Sequence, residues 1–95
     1  MKIHLDFKGM PILYKALNKQ KEFTLDLAPT RCTLGELVEF LTRKFGAMVR
    51  KALLDQKGDV DMEIRVVVNR DTYLAENRMQ TLLEDGDSVA FLGAA

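Results

Sequence analysis

Thr33-Leu34-Gly35-Glu36-Leu37-Val38-Glu39-Phe40-Leu41-Thr42-Arg43-Lys44-Phe45-Gly46 decides the fold, because it reads as a helix with both ends written in. Thr33 and Glu36 make a capping box: the threonine hydroxyl accepts from the Glu36 N–H, and the Glu36 carboxylate reaches back to the Thr33 N–H. Leu34, Leu37, Val38, Leu41 and Phe45 recur at helical spacing as one apolar stripe, while Glu36, Glu39, Arg43 and Lys44 stay off it. Gly46 supplies the stop. A single wide stripe needs a single apolar surface, which suits a sheet covered by a helix on one face.

Upstream, Lys2 to Phe7 alternates with Ile3, Leu5 and Phe7 on one side, so it reads as a half-buried strand. Gly9 and Pro11 break it, and Ile12 to Lys21 forms a connection apolar enough to pack, with one helical turn. Phe23, Leu25 and Leu27 alternate with Glu22, Thr24 and Asp26 as a second strand, antiparallel to the first and ended by Pro29. Downstream, Ala47 to Asp55 reads as a second short helix carrying Met48, Val49, Ala52 and Leu53, followed by an exposed Lys57-Gly58-Asp59 turn. Met62 to Asn69 is the strongest strand. Ile64, Val66, Val67 and Val68 are β-branched and nearly continuous, the pattern of a central strand beside a parallel neighbour. Asn69-Arg70-Asp71 turns the chain, Thr72 to Leu74 forms a short edge strand, and Arg78 to Leu83 leads to Asp85-Gly86-Asp87, where glycine takes the positive φ of a tight turn. Val89 and Phe91 alternate with Ala90 and Leu92 in a last strand running into Gly93-Ala94-Ala95. This order predicts one α+β domain over residues 1–95: a β-grasp, mixed sheet of four to five strands packed on one main helix. In that arrangement the helix links a hairpin to a strand parallel to the first.

Charge and composition exclude several classes. Lys and Arg number 14, Asp and Glu 14, and the signs are interspersed, so the basic footprint of a nucleic-acid or anionic-membrane binder is missing. The N-terminus alternates apolar and charged residues unlike a signal peptide, and no apolar run approaches the ~18 residues of a membrane span. A cytoplasmic location is expected. The single cysteine, Cys32, excludes an intrachain disulfide and any iron–sulfur or zinc site built from several thiolates of one chain. It precedes the helix start, where a dipole activates thiols, but a lone cysteine is more often a packing residue. His4 shares the polar side of the first strand with Lys2, Asp6 and Lys8, and reads as solvated. With no nucleophile–base pair, metal cluster or phosphate-binding glycine pattern, the chain is expected to be no enzyme and to bind no metal or cofactor of its own.

Three stretches together carry a family resemblance: Thr33-Leu34-Gly35-Glu36-Leu37, Ile64-Arg65-Val66-Val67-Val68-Asn69 with its short turn, and Leu82-Leu83-Glu84-Asp85-Gly86-Asp87-Ser88-Val89-Ala90-Phe91-Leu92. In order and spacing the chain resembles the ubiquitin-like sulfur carriers, among them the small subunit of molybdopterin synthase (MoaD) and the thiazole-pathway carrier (ThiS). The valine-rich strand ending in Asn69 and the Asp-Gly-Asp turn are the more specific parts. The resemblance implies a protein that performs no catalysis itself. Family carriers end in a flexible Gly-Gly tail whose carboxylate is adenylated by an activating enzyme, which uses the ATP, and is then converted to a thiocarboxylate. That group donates sulfur in cofactor biosynthesis of the molybdopterin or thiamine type. The implied partners are an ATP-dependent activating enzyme (adenylyltransferase) and a sulfur-acceptor enzyme, and the implied activation tail is Gly93, Ala94 and Ala95.

Alanines stand at 94 and 95 where the family pattern has glycines. Glycine threads a narrow channel with no Cβ and a free φ, and alanine does neither. Three residues past Leu92 reach at most ~10 Å, against ~20 Å for a tail of six. Three readings therefore stand: a divergent carrier, a chain with further residues after Ala95, or a non-conjugating ubiquitin-like interaction module that assembles or regulates a partner enzyme. The docking surface is expected on the sheet face away from the helix. If Ile64, Val66 and Val68 face the helix, the two-residue period turns Arg65 and Val67 outward; Val89 and Phe91 become core and Ala90 and Leu92 flank Val67. Arg65, Val67, Ala90 and Leu92 are the expected partner-binding residues, an apolar patch beside an arginine.

Overall fold

The computed structural model describes residues 1–93. In chain order the elements are strand β1 (Lys2–Lys8), helix α1 (Pro11–Ala16), strands β2 (Glu22–Asp26) and β3 (Arg31–Thr33), helices α2 (Leu34–Phe45) and α3 (Ala47–Leu53), strands β4 (Arg65–Val68) and β5 (Thr72–Tyr73), a 3-10 turn (Arg78–Gln80), and strands β6 (Leu82–Glu84) and β7 (Ser88–Leu92). The main sheet has the order β2-β1-β7-β4-β5, and β3 pairs with β6 in a separate two-stranded ladder. This is the β-grasp, a mixed five-stranded sheet with α2 packed across one face.

The local signals act as their chemistry requires. The Thr33 hydroxyl accepts from the Glu36 N–H at 3.1 Å, and a Glu36 carboxylate oxygen accepts from the Thr33 N–H at 2.9 Å, closing the capping box. Leu34, Leu37, Val38 and Leu41 are fully buried against Ile3, Leu5, Val89 and Phe91 of the sheet's inner face, within one core cluster. Phe45, the last residue of the stripe, is half-buried and meets Phe23 edge-on at 5.6 Å. At Gly46 φ is +103°, so α3 begins as a separate helix rather than a continuation of α2. The connection after β1 is a true helix, α1, whose Leu13, with Leu17 just beyond it, joins the core.

Two expectations are corrected. The valine-rich strand lies inside the sheet but is not parallel to a neighbour: β4 pairs antiparallel with β7 and with the two-residue β5. The strand parallel to β1 is the last one, β7, which occupies the middle of the sheet. A continuous apolar run reports burial on both faces but not which strands lie alongside, and here the short β5 is enough to cover one edge of β4. The strand is also shorter than Met62 to Asn69. Asp61 accepts the Glu63 N–H through its side chain at 2.9 Å, while the Arg78 guanidinium donates to the carbonyls of Val60, Asp61 and Ile64 at 2.8, 3.1 and 2.6 Å. These bonds hold residues 60–64 in a loop outside the ladder, with Met62 90% exposed.

Candidate functional site

The expected site has two parts, the outward face of β4 and β7 and the end of β7. Arg65 is exposed and stands opposite Leu92 across the β4–β7 ladder, and Val67 stands opposite Ala90. Ala90 and Leu92 are half-buried, as residues on a lightly covered sheet face are. Val67 departs from the expectation. It is only 6% exposed, although it lies on the outer face and outside the main core cluster. Its cross-strand neighbours Ala90 and Tyr73 flank it, and it shares a small hollow with Arg70, His4, Asp6 and Glu22. Val67 is thus the floor of the patch rather than its contact surface. Tyr73, which sequence reasoning did not single out, is 64% exposed and supplies the accessible apolar area. Its signal was present in the alternation of the edge strand, since pairing Val67 with Tyr73 puts both side chains on one face. The β1 half of the same face is charged: His4 pairs with Glu22 at 2.7 Å and Lys8 with Asp6 at 3.7 Å.

At the other part, Gly93 is not a loose tail residue. Its N–H donates to the Lys8 carbonyl at 2.8 Å, extending the parallel β1–β7 ladder by one bond. It also forms part of the wall of a groove of about 490 Å³, whose apolar lining includes Met10, Ile12, Met48 and Ile64, between α1, α3 and the 60–64 loop. Ala94 and Ala95 lie outside the described residues.

Cys32, considered from sequence as an activated thiol, takes a structural role. Cys32 lies in β3, 2% exposed and paired with Leu83, and burial, followed by the nearby Glu36 carboxylate, pushes its thiol pKa up, against a weaker opposing pull from the N-terminal ammonium. It is the reverse of an activated thiol. Among the described residues no group of three or more His, Cys, Asp or Glu side chains is placed to hold a metal ion, and no helix is long and apolar enough to cross a membrane.

A helix-covered mixed sheet whose middle strand carries the chain out toward its carboxyl end is the ubiquitin-like β-grasp, and the family match places the chain in the ubiquitin-like sulfur-carrier class. Within it, the family model Urm1 (ubiquitin related modifier) matches residues 2–95, and the chain belongs to that family. No curated protein sequence matches the chain. Solved structures with the same fold include Urm1 from Trypanosoma brucei, at 29% identity and TM-score 0.74, covering 99% of this chain and 92% of that one. CysO from Mycobacterium tuberculosis, described as an antigen, is similar at 21% identity and TM-score 0.75, covering 98% of this chain and 99% of that one. The BexX/CysO complex of Amycolatopsis orientalis contains a chain similar at 18% identity and TM-score 0.72, covering 98% and 96% respectively.

Proposed function

We propose that this protein is a sulfur carrier whose carboxylate, at Ala95 or at a terminus beyond it, is activated by an ATP-using adenylyltransferase. The carboxylate oxygen attacks the α-phosphorus of ATP and pyrophosphate leaves. A sulfur nucleophile then displaces AMP at the carbonyl, forming the thiocarboxylate that donates sulfur to an acceptor enzyme in cofactor biosynthesis of the molybdopterin or thiamine type. The observation that carries this reading is the family match over residues 2–95. The topology supports it, because β7 is the middle strand and delivers the chain to one end of the sheet at Gly93. The protein contributes position and docking, and the partner contributes the chemistry. The CysO of Amycolatopsis orientalis is seen in complex with BexX, and a partner protein is likewise proposed to bind this chain. Its landing surface is the face of Arg65, Tyr73, Ala90 and Leu92, with Val67 as floor. A cytoplasmic location fits a reaction that consumes ATP.

The test is incubation of the full chain with its activating enzyme and ATP. Pyrophosphate release, and an intact mass showing one oxygen replaced by sulfur once a sulfur donor is added, are the expected results. Ala94→Gly with Ala95→Gly accelerates release, since two Cβ atoms leave the path to the active site. If neither the native chain nor the glycine variant releases pyrophosphate, the carrier reading falls. The alternative, a non-conjugating interaction module that assembles or regulates a partner enzyme, then takes its place.

A further inference from the structure

The φ of Gly93 is not positive, so backbone torsion does not demand glycine there. Space does. A Cβ built on Gly93 would stand 2.5 Å from the carbonyl oxygen of Gly9, 3.1 Å from its carbonyl carbon and 2.8 Å from Met10 Cγ. The methionine can rotate away, but the two Gly9 atoms are backbone and cannot, so this close approach of two chains needs a residue without a side chain. Gly9 creates the approach from its own side: with φ at +68° it turns the chain directly after β1 and brings Met10 beneath the end of β7. The Gly93 N–H bond to Lys8 then closes one rung past the Lys8–Leu92 pair.

We propose that Gly93 is a positioning residue for the activation reaction, an anchored rung one step past the Lys8–Leu92 pair that fixes the course of the chain toward its carboxyl end. The inference rests on the carrier reading for its functional consequence, and on the Gly9–Met10 contact for its physical basis. Glycine at 93 serves closeness, not flexibility. With any larger residue the rung opens and the anchor retreats to Leu92, displacing the reacting carboxylate relative to a docked activating enzyme. Misplacement of about 1 Å at a reacting centre costs on the order of 100-fold in rate.

Two measurements on the full chain test this. In backbone amide exchange followed by NMR, the Gly93 amide of the native protein exchanges at least about 10-fold more slowly than an unstructured amide, and residue 93 of Gly93→Ala loses that protection. An unprotected native Gly93 amide overturns the anchor. In pyrophosphate release with the activating enzyme, Gly93→Ala lowers kcat by about 10- to 100-fold while the Kd for that enzyme and the urea midpoint stay close to native. The double variant Met10→Ala with Gly93→Ala does not restore the rate, because the 2.5 Å contact is to backbone. A native rate in Gly93→Ala, restoration by the double variant, or a rise in Kd or a fall in urea midpoint large enough to account for the loss overturns the positioning role. If the native chain itself releases no pyrophosphate, the carrier reading is what fails, and amide exchange alone decides whether Gly93 is anchored.

Discussion

Cys32 and Gly93 show what a single residue's neighbours add to its identity. Cys32 precedes the capped helix, but its strand pairing with Leu83 turns the thiol inward, where burial and then Glu36 favour the neutral form. Because the folded pKa is raised, the unfolded chain loses this proton first. The thiol's contribution to stability is therefore complete below the unfolded value of about 8.5, and is lost as pH rises through the folded value. Urea melts at about pH 7.5 and about pH 9.5 should show the native protein losing more stability than Cys32→Ala, with an extra slope of at most about 1.4 kcal/mol per pH unit. Parallel pH profiles for the two proteins would remove the assignment. The capping box of Thr33 and Glu36 was legible because its donors and acceptors lie three residues apart. The fit of Gly93 against Gly9 was not, because it depends on the register of strand partners 84 residues apart in sequence, which no local pattern encodes.

At the scale of elements, periodicity identified which residues face inward but not the order of strands. Ile3, Leu5 and Phe7, Val66 and Val68, and Val89 and Phe91 are all buried where the two-residue period put them. The same reasoning put Val67 outward, correctly as to face, and found the short edge strand, yet did not pair its Tyr73 with Val67, the contact that covers it. Exposure depends on neighbours as well as on parity. The outer face therefore divides into floor and rim, and the two respond differently to charge. Val67→Asp should destabilise by about 3 kcal/mol or more, since a carboxylate at a 6% exposed position has no partner. Leu92→Asp should leave the melting temperature within a few degrees and weaken binding of the activating or acceptor enzyme by about 10-fold or more. Thermal melts with a binding titration on each variant separate the outcomes. Unimpaired binding by Leu92→Asp would move the docking surface off this face, and a stable Val67→Asp protein would show that the floor is open to water.

For the whole molecule, the decisive feature is that the first and last strands are parallel partners in the middle of the sheet. β7 pairs with β1 on one side and β4 on the other, so it closes the sheet while also carrying the segment that the proposed chemistry uses. Phe91 is its keystone. It is fully buried, lies opposite Phe7 on β1 and Val66 on β4, and stacks on Phe7 with centroids 5.1 Å apart and planes 6° from parallel. Phe7 in turn stacks on Phe23 at 6.0 Å, so one row of rings crosses three strands. Removing the ring carried by the middle strand should cost about 3–5 kcal/mol in Phe91→Ala, through lost burial and the cavity left behind. That is a large share of the roughly 5–15 kcal/mol that holds a domain folded. Phe91→Leu, which keeps most of the volume, should cost less. Because β7 leads directly to Gly93, the loss should reach function through the fold: in Phe91→Ala, pyrophosphate release should fall in step with the unfolded fraction seen in urea melts, and cooling or a stabilising osmolyte should recover both together. A Phe91→Ala protein that melts within about 1 kcal/mol of native would show that the sheet does not depend on its middle strand for closure. A well-folded variant with slow release would instead place the effect in the register of β7, and hence in where the sheet lets the chain go.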